Sequence, residues 1–169
     1  MNVIFETERL ILKVFEEIDV EDAKEFWGNE EVMEHCLGAV PHDVLPKVLD
    51  SYAKCHLVNH LSIYAVYEKS TNKVIGGAGF IVRDSIDQVE LVYHFAKGAW
   101  GKGYATEAGN ACLEIARKNG KVKKIYASAD SKNSSSLKIL EKMGFNYQGL
   151  KWFEDTEQEE PYYELVLAK

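Results

Sequence analysis

Three groups of residues in this chain have the types and spacing to do chemistry. The first is the turn Trp100-Gly101-Lys102-Gly103, which runs straight into a helical pattern starting at Tyr104. The first amides of a helix lack intrahelical acceptors and carry the positive end of its dipole, so the main chain over 101–106 can bind an anion. Glycines at 101 and 103 let the backbone approach a phosphate with no Cβ in the way, and Lys102 and Lys97 add charge. On the loop alone, the glycines serve equally well merely to turn the chain. The second group can move protons. Glu90, Val92 and His94 share one face of the strand-like string VELVYHF, opposite Val89, Leu91, Tyr93 and Phe95, and Glu90 is the first candidate for a general base. Glu30, Glu31 and Asp43 are further carboxylates whose default reading is surface charge. The third group dissolves on inspection. His56-x-x-x-His60 has metal-ligand spacing but lacks a third convincing ligand, so no metal is expected. Cys112 falls in an apolar helical stripe, where a core role outweighs a nucleophilic one.

The glycine turn matches neither of two familiar phosphate cradles. No Gly-Lys-Ser/Thr follows a four-residue spacer, and the dinucleotide fingerprint would need a third glycine where Thr106 stands. The charge distribution nevertheless favours an anion here. Between 97 and 142 nine lysines and Arg117 face four carboxylates, a balance of +6 within a chain whose net charge is −7, leaving −13 elsewhere. The overall acidity excludes a general nucleic-acid binder. No run of eighteen apolar residues suggests a membrane span, and three scattered cysteines without a Cys-x-x-Cys pair fit a reducing, cytoplasmic setting.

The elements that position these residues read as follows. A strand spans 9–15, a short helix 20–28 capped by Asp19, another turn or two of helix 29–36, and a longer helix 43–60. The period then changes to strands over 62–68, 74–82 and 89–95, joined by tight turns. A helix over 104–119, a strand over 123–129, a helix over 133–143 and strands around 145–153 and 162–167 complete the chain. This is an α+β arrangement with one strand-helix-strand crossover, expected as a single domain over 1–169.

The string WGKGYATEA, after a strand and opening a helix, resembles the Arg/Gln-x-x-Gly-x-Gly/Ala signature of the GNAT superfamily of N-acetyltransferases, its last two positions falling on Gly103 and Ala105. Downstream, Asn133-x-x-Ser136-x-x-x-Leu140-Glu141-Lys142-Met143-Gly144-Phe145 is similar to a second landmark of that family. ETERLIL and VELVYHF resemble its ribosomal-protein-alanine acetyltransferase branch. The resemblance spans about residues 6–168. It implies a mixed, mostly antiparallel central sheet of six to seven strands flanked by about four helices, parting between its fourth and fifth strands. It implies acetyl-CoA as the donor, with pantetheine lying along main-chain groups of Tyr93 and Phe95. The pyrophosphate is then expected on Gly101, Lys102, Gly103, Tyr104, Ala105 and Thr106, and Asn133 on the pantetheine arm. Two positions depart from the pattern. Trp100 replaces the usual Arg or Gln, and Leu140 stands where many members carry a proton-donating tyrosine. Ser136, one turn earlier on that face, is the nearest hydroxyl that could take the role.

A thioester is already activated, so no covalent nucleophile is required. What remains is to deprotonate an amine: a lysine-like amine is under about a thousandth neutral at pH 7, an α-amine about a tenth. The expected reaction is therefore acetyl transfer to a primary amine, either a protein N-terminus (possibilities include ribosomal proteins) or a small cationic amine, by a monomer or homodimer. The competing expectation, favoured by Leu140, is an acyl-CoA-binding sensor with weak turnover.

Overall fold

The computed structural model describes residues 1–129 and 132–167; Asp130, counted above among the carboxylates of the basic stretch, lies outside them. The strands are β1 (Val3–Glu6), β2 (Leu10–Lys13), β3 (Ile63–Glu68), β4 (Lys73–Ile81), β5 (Gln88–Phe95), β6 (Lys124–Ser128), β7 (Asn146–Phe153) and β8 (Gln158–Val166). The helices are α1 (Val20–Ala23), α2 (Leu45–Asn59), α3 (Tyr104–Asn119) and α4 (Ser134–Lys142), with single 3₁₀ turns at Glu17–Asp19 and Lys97–Ala99.

All eight strands form one sheet in the order β1-β2-β3-β4-β5-β6-β8-β7. Every neighbouring pair is antiparallel except β5 and β6, where α3 makes the crossover. That parallel pairing is short: Gln88↔Lys124, Val89↔Ile125 and Glu90↔Tyr126, after which the two strands part. On its other edge β5 stays paired with β4 as far as Phe95↔Gly76. Residues 91–95 therefore carry a ladder on one side only. This is the expected parting, and the added strand β1 shifts its count to β5 and β6.

The sheet separates two cores. Val89, Leu91 and Phe95 of β5 face α3 and α4, packing with Tyr104, Ala108, Cys112, Leu140 and Phe145. Val92, on the opposite face, joins Phe15, Phe26, Trp27, Leu45 and Leu49 beneath α1 and α2. Alternation along one strand thus supplies both layers. Gly77 of β4 allows close approach on the second face, since a Cβ there would lie 2.4 Å from the Trp27 ring. The indole packs over Gly77 and its Nε1–H reaches His94 of β5, bringing the segment after α1 to that strand.

Several expectations change. The strand β1, antiparallel to β2 (Phe5↔Leu12), was not anticipated and raises the strand count to eight. The helix expected over 20–28 stops at Ala23 and continues as turns, and 29–36 is a run of turns rather than helix. Asp19 does not cap α1. Its buried carboxylate accepts from the Glu16 amide at 2.8 Å and from the Lys13 ammonium at 2.7 Å, an ion pair held inside the fold. A nearby cation outcompeted the helix amides for that carboxylate.

Candidate functional site

The site lies where β5 leaves β6 and runs into the glycine turn. Ala96 donates its amide to Ile75 of β4 at 2.8 Å. Strand alternation then turns the main-chain groups of Tyr93 and Phe95 the other way, toward the gap left by β6. The Phe95 carbonyl in that gap accepts from the Trp100 indole at 2.9 Å. Among the described residues β6 pairs with neither Tyr93 nor Phe95. Trp100, which departs from the signature, thus acts as a strut between the strand end and the loop.

The loop leads directly into α3. Gly103 precedes α3 with φ 79°, a left-handed conformation that glycine adopts without strain. The first amide of this region with an acceptor is Glu107, which donates to the Gly103 carbonyl at 3.1 Å. Among the described residues no acceptor faces the amides of 101–106. Behind the loop, Arg9 donates from Nη1 to the Lys102 carbonyl at 2.9 Å and from Nε to Glu107 at 2.7 Å, and its guanidinium lies over the Tyr104 ring. Tyr104 in turn donates to Glu68. Burial works against the Glu107 carboxylate, but hydrogen bonds from Thr7 and Arg9 outweigh it and hold the group below its ordinary range. Beside the loop, Thr106 lines a cleft with Lys138, Ile139, Glu141 and Lys142 of α4. Lys102 projects from the turn, exposed, whereas Lys97 is engaged by Glu31 from the segment after α1.

Helix α4 packs on the α3 side of β5. Asn133 caps it, its Oδ1 accepting from the Ser136 amide at 3.3 Å, and that cap does not use its Nδ2 group. Ser136 is not a solvent-facing serine. The Tyr93 hydroxyl donates to the Ser136 carbonyl at 3.1 Å and stands 2.9 Å from its Oγ, bridging β5 and α4. Burial pushes the Tyr93 phenol up to about 12. Leu140 is 1% exposed in the core and has no proton to give.

On the other face, Glu90 sits in the last β5–β6 pair, at the apex of the parting. Its carboxylate accepts from Arg83, which also donates to the Tyr126 hydroxyl at 2.9 Å. His94 is no base. Trp27, a donor only, points Nε1–H at His94 Nδ1 (3.1 Å), which places the proton of the neutral ring on Nε2, 3.4 Å from Cys36 Sγ. Burial lowers its pKa to about 4, so the ring is neutral at pH 7. Sequence reasoning missed this triplet because Trp27 and Cys36 lie far from the strand in sequence. Glu30 and Asp43 are exposed. Elsewhere, His56 Nδ1 lies 2.8 Å from the Tyr64 hydroxyl, and burial drives the Cys112 thiol up to about 12. Among the described residues no three His, Cys, Asp or Glu side chains gather as metal ligands, and no helix is long and apolar enough to cross a membrane.

The chain has clear relatives. The family model for the acetyltransferase (GNAT) domain matches residues 9–146. An uncharacterized N-acetyltransferase, p20, of Bacillus licheniformis is 27% identical over 151 residues, covering 85% of this chain and 83% of that protein. A GNAT-family acetyltransferase from Bacillus anthracis superposes with a TM-score of 0.84 at 23% identity, over 98% of both chains. RimL, described as a ribosomal L7/L12 α-N-protein acetyltransferase and solved with coenzyme A, superposes with a TM-score of 0.83 at 14% identity, again over 98% of both. A parted strand edge, a glycine turn opening a helix and a family match across most of the chain agree: this protein belongs to the GNAT family and is an acetyl-CoA-dependent N-acetyltransferase.

Proposed function

We propose that the enzyme acetylates a primary amine by direct attack on the thioester, with a protein N-terminal α-amine as first candidate acceptor and a small cationic amine as second. One observation carries the reading: the edge of 91–95 that β6 leaves unpaired leads, through the single turn at Lys97–Ala99, into the acceptor-free amides at 101–106. An amide chain such as pantetheine can add to that edge as a peptide adds to a sheet, and the adjoining turn suits its pyrophosphate. Tyr93 and Phe95 then hold the arm, 101–106 the phosphates, and Asn133 Nδ2 an amide of the arm.

At the apex, Glu90 takes the amine proton, directly or through a water, as the C–N bond forms. The C–S bond then breaks and the sulfur takes up a proton. The Ser136 hydroxyl supplies a hydrogen bond to that sulfur. The thiol's own acidity, near that of cysteine at about 8.5, makes the leaving group undemanding, so a core leucine at 140 is tolerable. The neutral fraction of an α-amine at pH 7 is far larger than that of a lysine side chain, which supports the N-terminal acceptor. RimL's described acceptor, a ribosomal α-amine, makes such peptides the first to try.

A thiol-release assay with ribosomal N-terminal peptides, polyamines and aminoglycosides tests the reading. Acceptor-dependent release is expected. Tight coenzyme A binding with no release on any amine would identify an acyl-CoA sensor instead.

A further inference from the structure

Arg9 lies in the turn before β2, more than ninety residues from the glycine loop in sequence, yet it makes four contacts there. Its Nη1 donates to the Lys102 carbonyl at 2.9 Å and its Nε to Glu107 at 2.7 Å. Its main-chain amide also donates to Glu107, at 3.0 Å. Its guanidinium carbon lies 4.3 Å from the centre of the Tyr104 ring. A Cβ built on Gly103 would stand 3.6 Å from its Nη2.

The Lys102 carbonyl and the Gly103 amide belong to one peptide unit. In a trans peptide they point in opposite directions, and no peptide bond among the described residues is cis. Holding the carbonyl back toward Arg9 therefore aims the Gly103 N–H out of the far side of the loop. Gly103 has φ 79° and gives that peptide glycine's freedom on its C-terminal side, so without an anchor the plane can rotate. Arg9 also offsets a liability. Glu107 lies in the first turn of α3, where its negative charge would repel a phosphate, and Arg9 pairs with it.

We propose that Arg9 is the positioning residue of the phosphate cradle: it orients the 102–103 peptide so that its N–H meets the pyrophosphate, and it neutralises Glu107 beside that site. The guanidinium missing at Trp100 is thereby supplied from another element, behind the loop rather than in front of it. The assignment rests on the reading that 101–106 hold the pyrophosphate.

The test is an amide-resolved NMR titration with coenzyme A, and separately with pantetheine, of the wild type, Arg9→Ala, Arg9→Lys, Thr7→Val and Gly103→Val. Arg9→Ala should weaken coenzyme A about ten- to thirtyfold, the loss of one well-aimed hydrogen bond to a charged oxygen, and leave pantetheine unchanged. Arg9→Lys should fall between, since one ammonium cannot serve Glu107 and the Lys102 carbonyl together. It carries the same test if the alanine variant fails to fold. Thr7→Val, which removes a Glu107 contact without touching Lys102, should bind coenzyme A normally. An Arg9→Ala protein that binds coenzyme A like the wild type, while Gly103→Val does not, overturns the role of Arg9 alone. Equal weakening of coenzyme A and pantetheine overturns it too, since that is general loosening of the fold. If Gly103→Val also binds normally, the loop reading itself fails.

Discussion

The two faces of β5 solve different problems with different parts of the chain. Toward α3 and α4, the proposed contacts for the coenzyme are main-chain: the edge at Tyr93 and Phe95 and the amides of 101–106, backed by a core of Leu91, Phe95 and Leu140. Toward α1 and α2, the groups are side chains that have already found one another. Glu90 is closed on Arg83, His94 lies between Trp27 and Cys36, and Glu31 is closed on Lys97. A donor common to many enzymes can be held by backbone geometry, which any sequence with the right glycines reproduces. An acceptor has to be chosen by side chains, and polar side chains near a cleft pair with each other until a substrate displaces them.

The sharpest way to separate the two faces is to damage each and ask whether binding or turnover suffers. Glu90→Gln should lower turnover about 10²–10⁴-fold with coenzyme A affinity nearly intact, and the loss should shrink at high pH, where the amine deprotonates unaided. Steady-state kinetics across pH checks this; near-normal turnover at pH 7 would move the base to Glu30, Glu31 or Asp43. Gly103→Val should do the reverse. A β-branched residue at φ 79° is strained, and the displaced amides forfeit hydrogen bonds worth about 1.5–3 kcal/mol each to charged oxygens, so calorimetry should show a loss of about a hundredfold or more.

A third effect belongs to stability. The folded chain keeps His94 neutral, its pKa lowered from 6.5 to about 4 by burial, so on acidification the unfolded chain takes up this proton first. The contribution is complete above about pH 6.5 and is lost as pH falls toward 4, roughly 3 kcal/mol in all. Urea unfolding at pH 7 and pH 5 should show that decline in the wild type and a flatter one in His94→Gln; identical slopes would place His94 in a solvated setting. The smallest effects concern the sulfur. Ser136→Ala should cost about ten- to a hundredfold in turnover at saturating acetyl-CoA, and full activity would leave solvent as the proton source. Tyr93→Phe frees the Ser136 hydroxyl from its phenol partner and should change turnover by less than about tenfold.

What the sequence made legible follows the same division. The glycine turn, the strand before it and the helix after it were readable because backbone geometry is encoded locally: Gly103 at a helix start, alternation along VELVYHF, Asn133 heading α4. β1 escaped because its four residues are only half-buried or exposed at the sheet edge and show no apolar alternation, unlike the buried β2. Asp19 was misread as a cap because its cation partner, Lys13, comes from the preceding strand. The Trp27–His94–Cys36 contact, the Tyr93–Ser136 bridge and the reach of Arg9 to Lys102 all join residues distant in sequence. No local pattern records such pairings; they exist only once the sheet is assembled.

The central claim is that the edge of β5 and the turn after it hold the coenzyme. Amide-resolved NMR titration of the wild type with coenzyme A tests it most directly. The largest shifts should fall on Tyr93, Phe95 and 101–106, with smaller ones at Asn133 and Ser136. A rival depression exists at the far end of α3, lined by Phe5, His60, Lys118 and Lys121, where the helix C-terminus presents carbonyls rather than amides. Shifts gathered at Lys118 and Lys121, with 101–106 silent, would contradict the account.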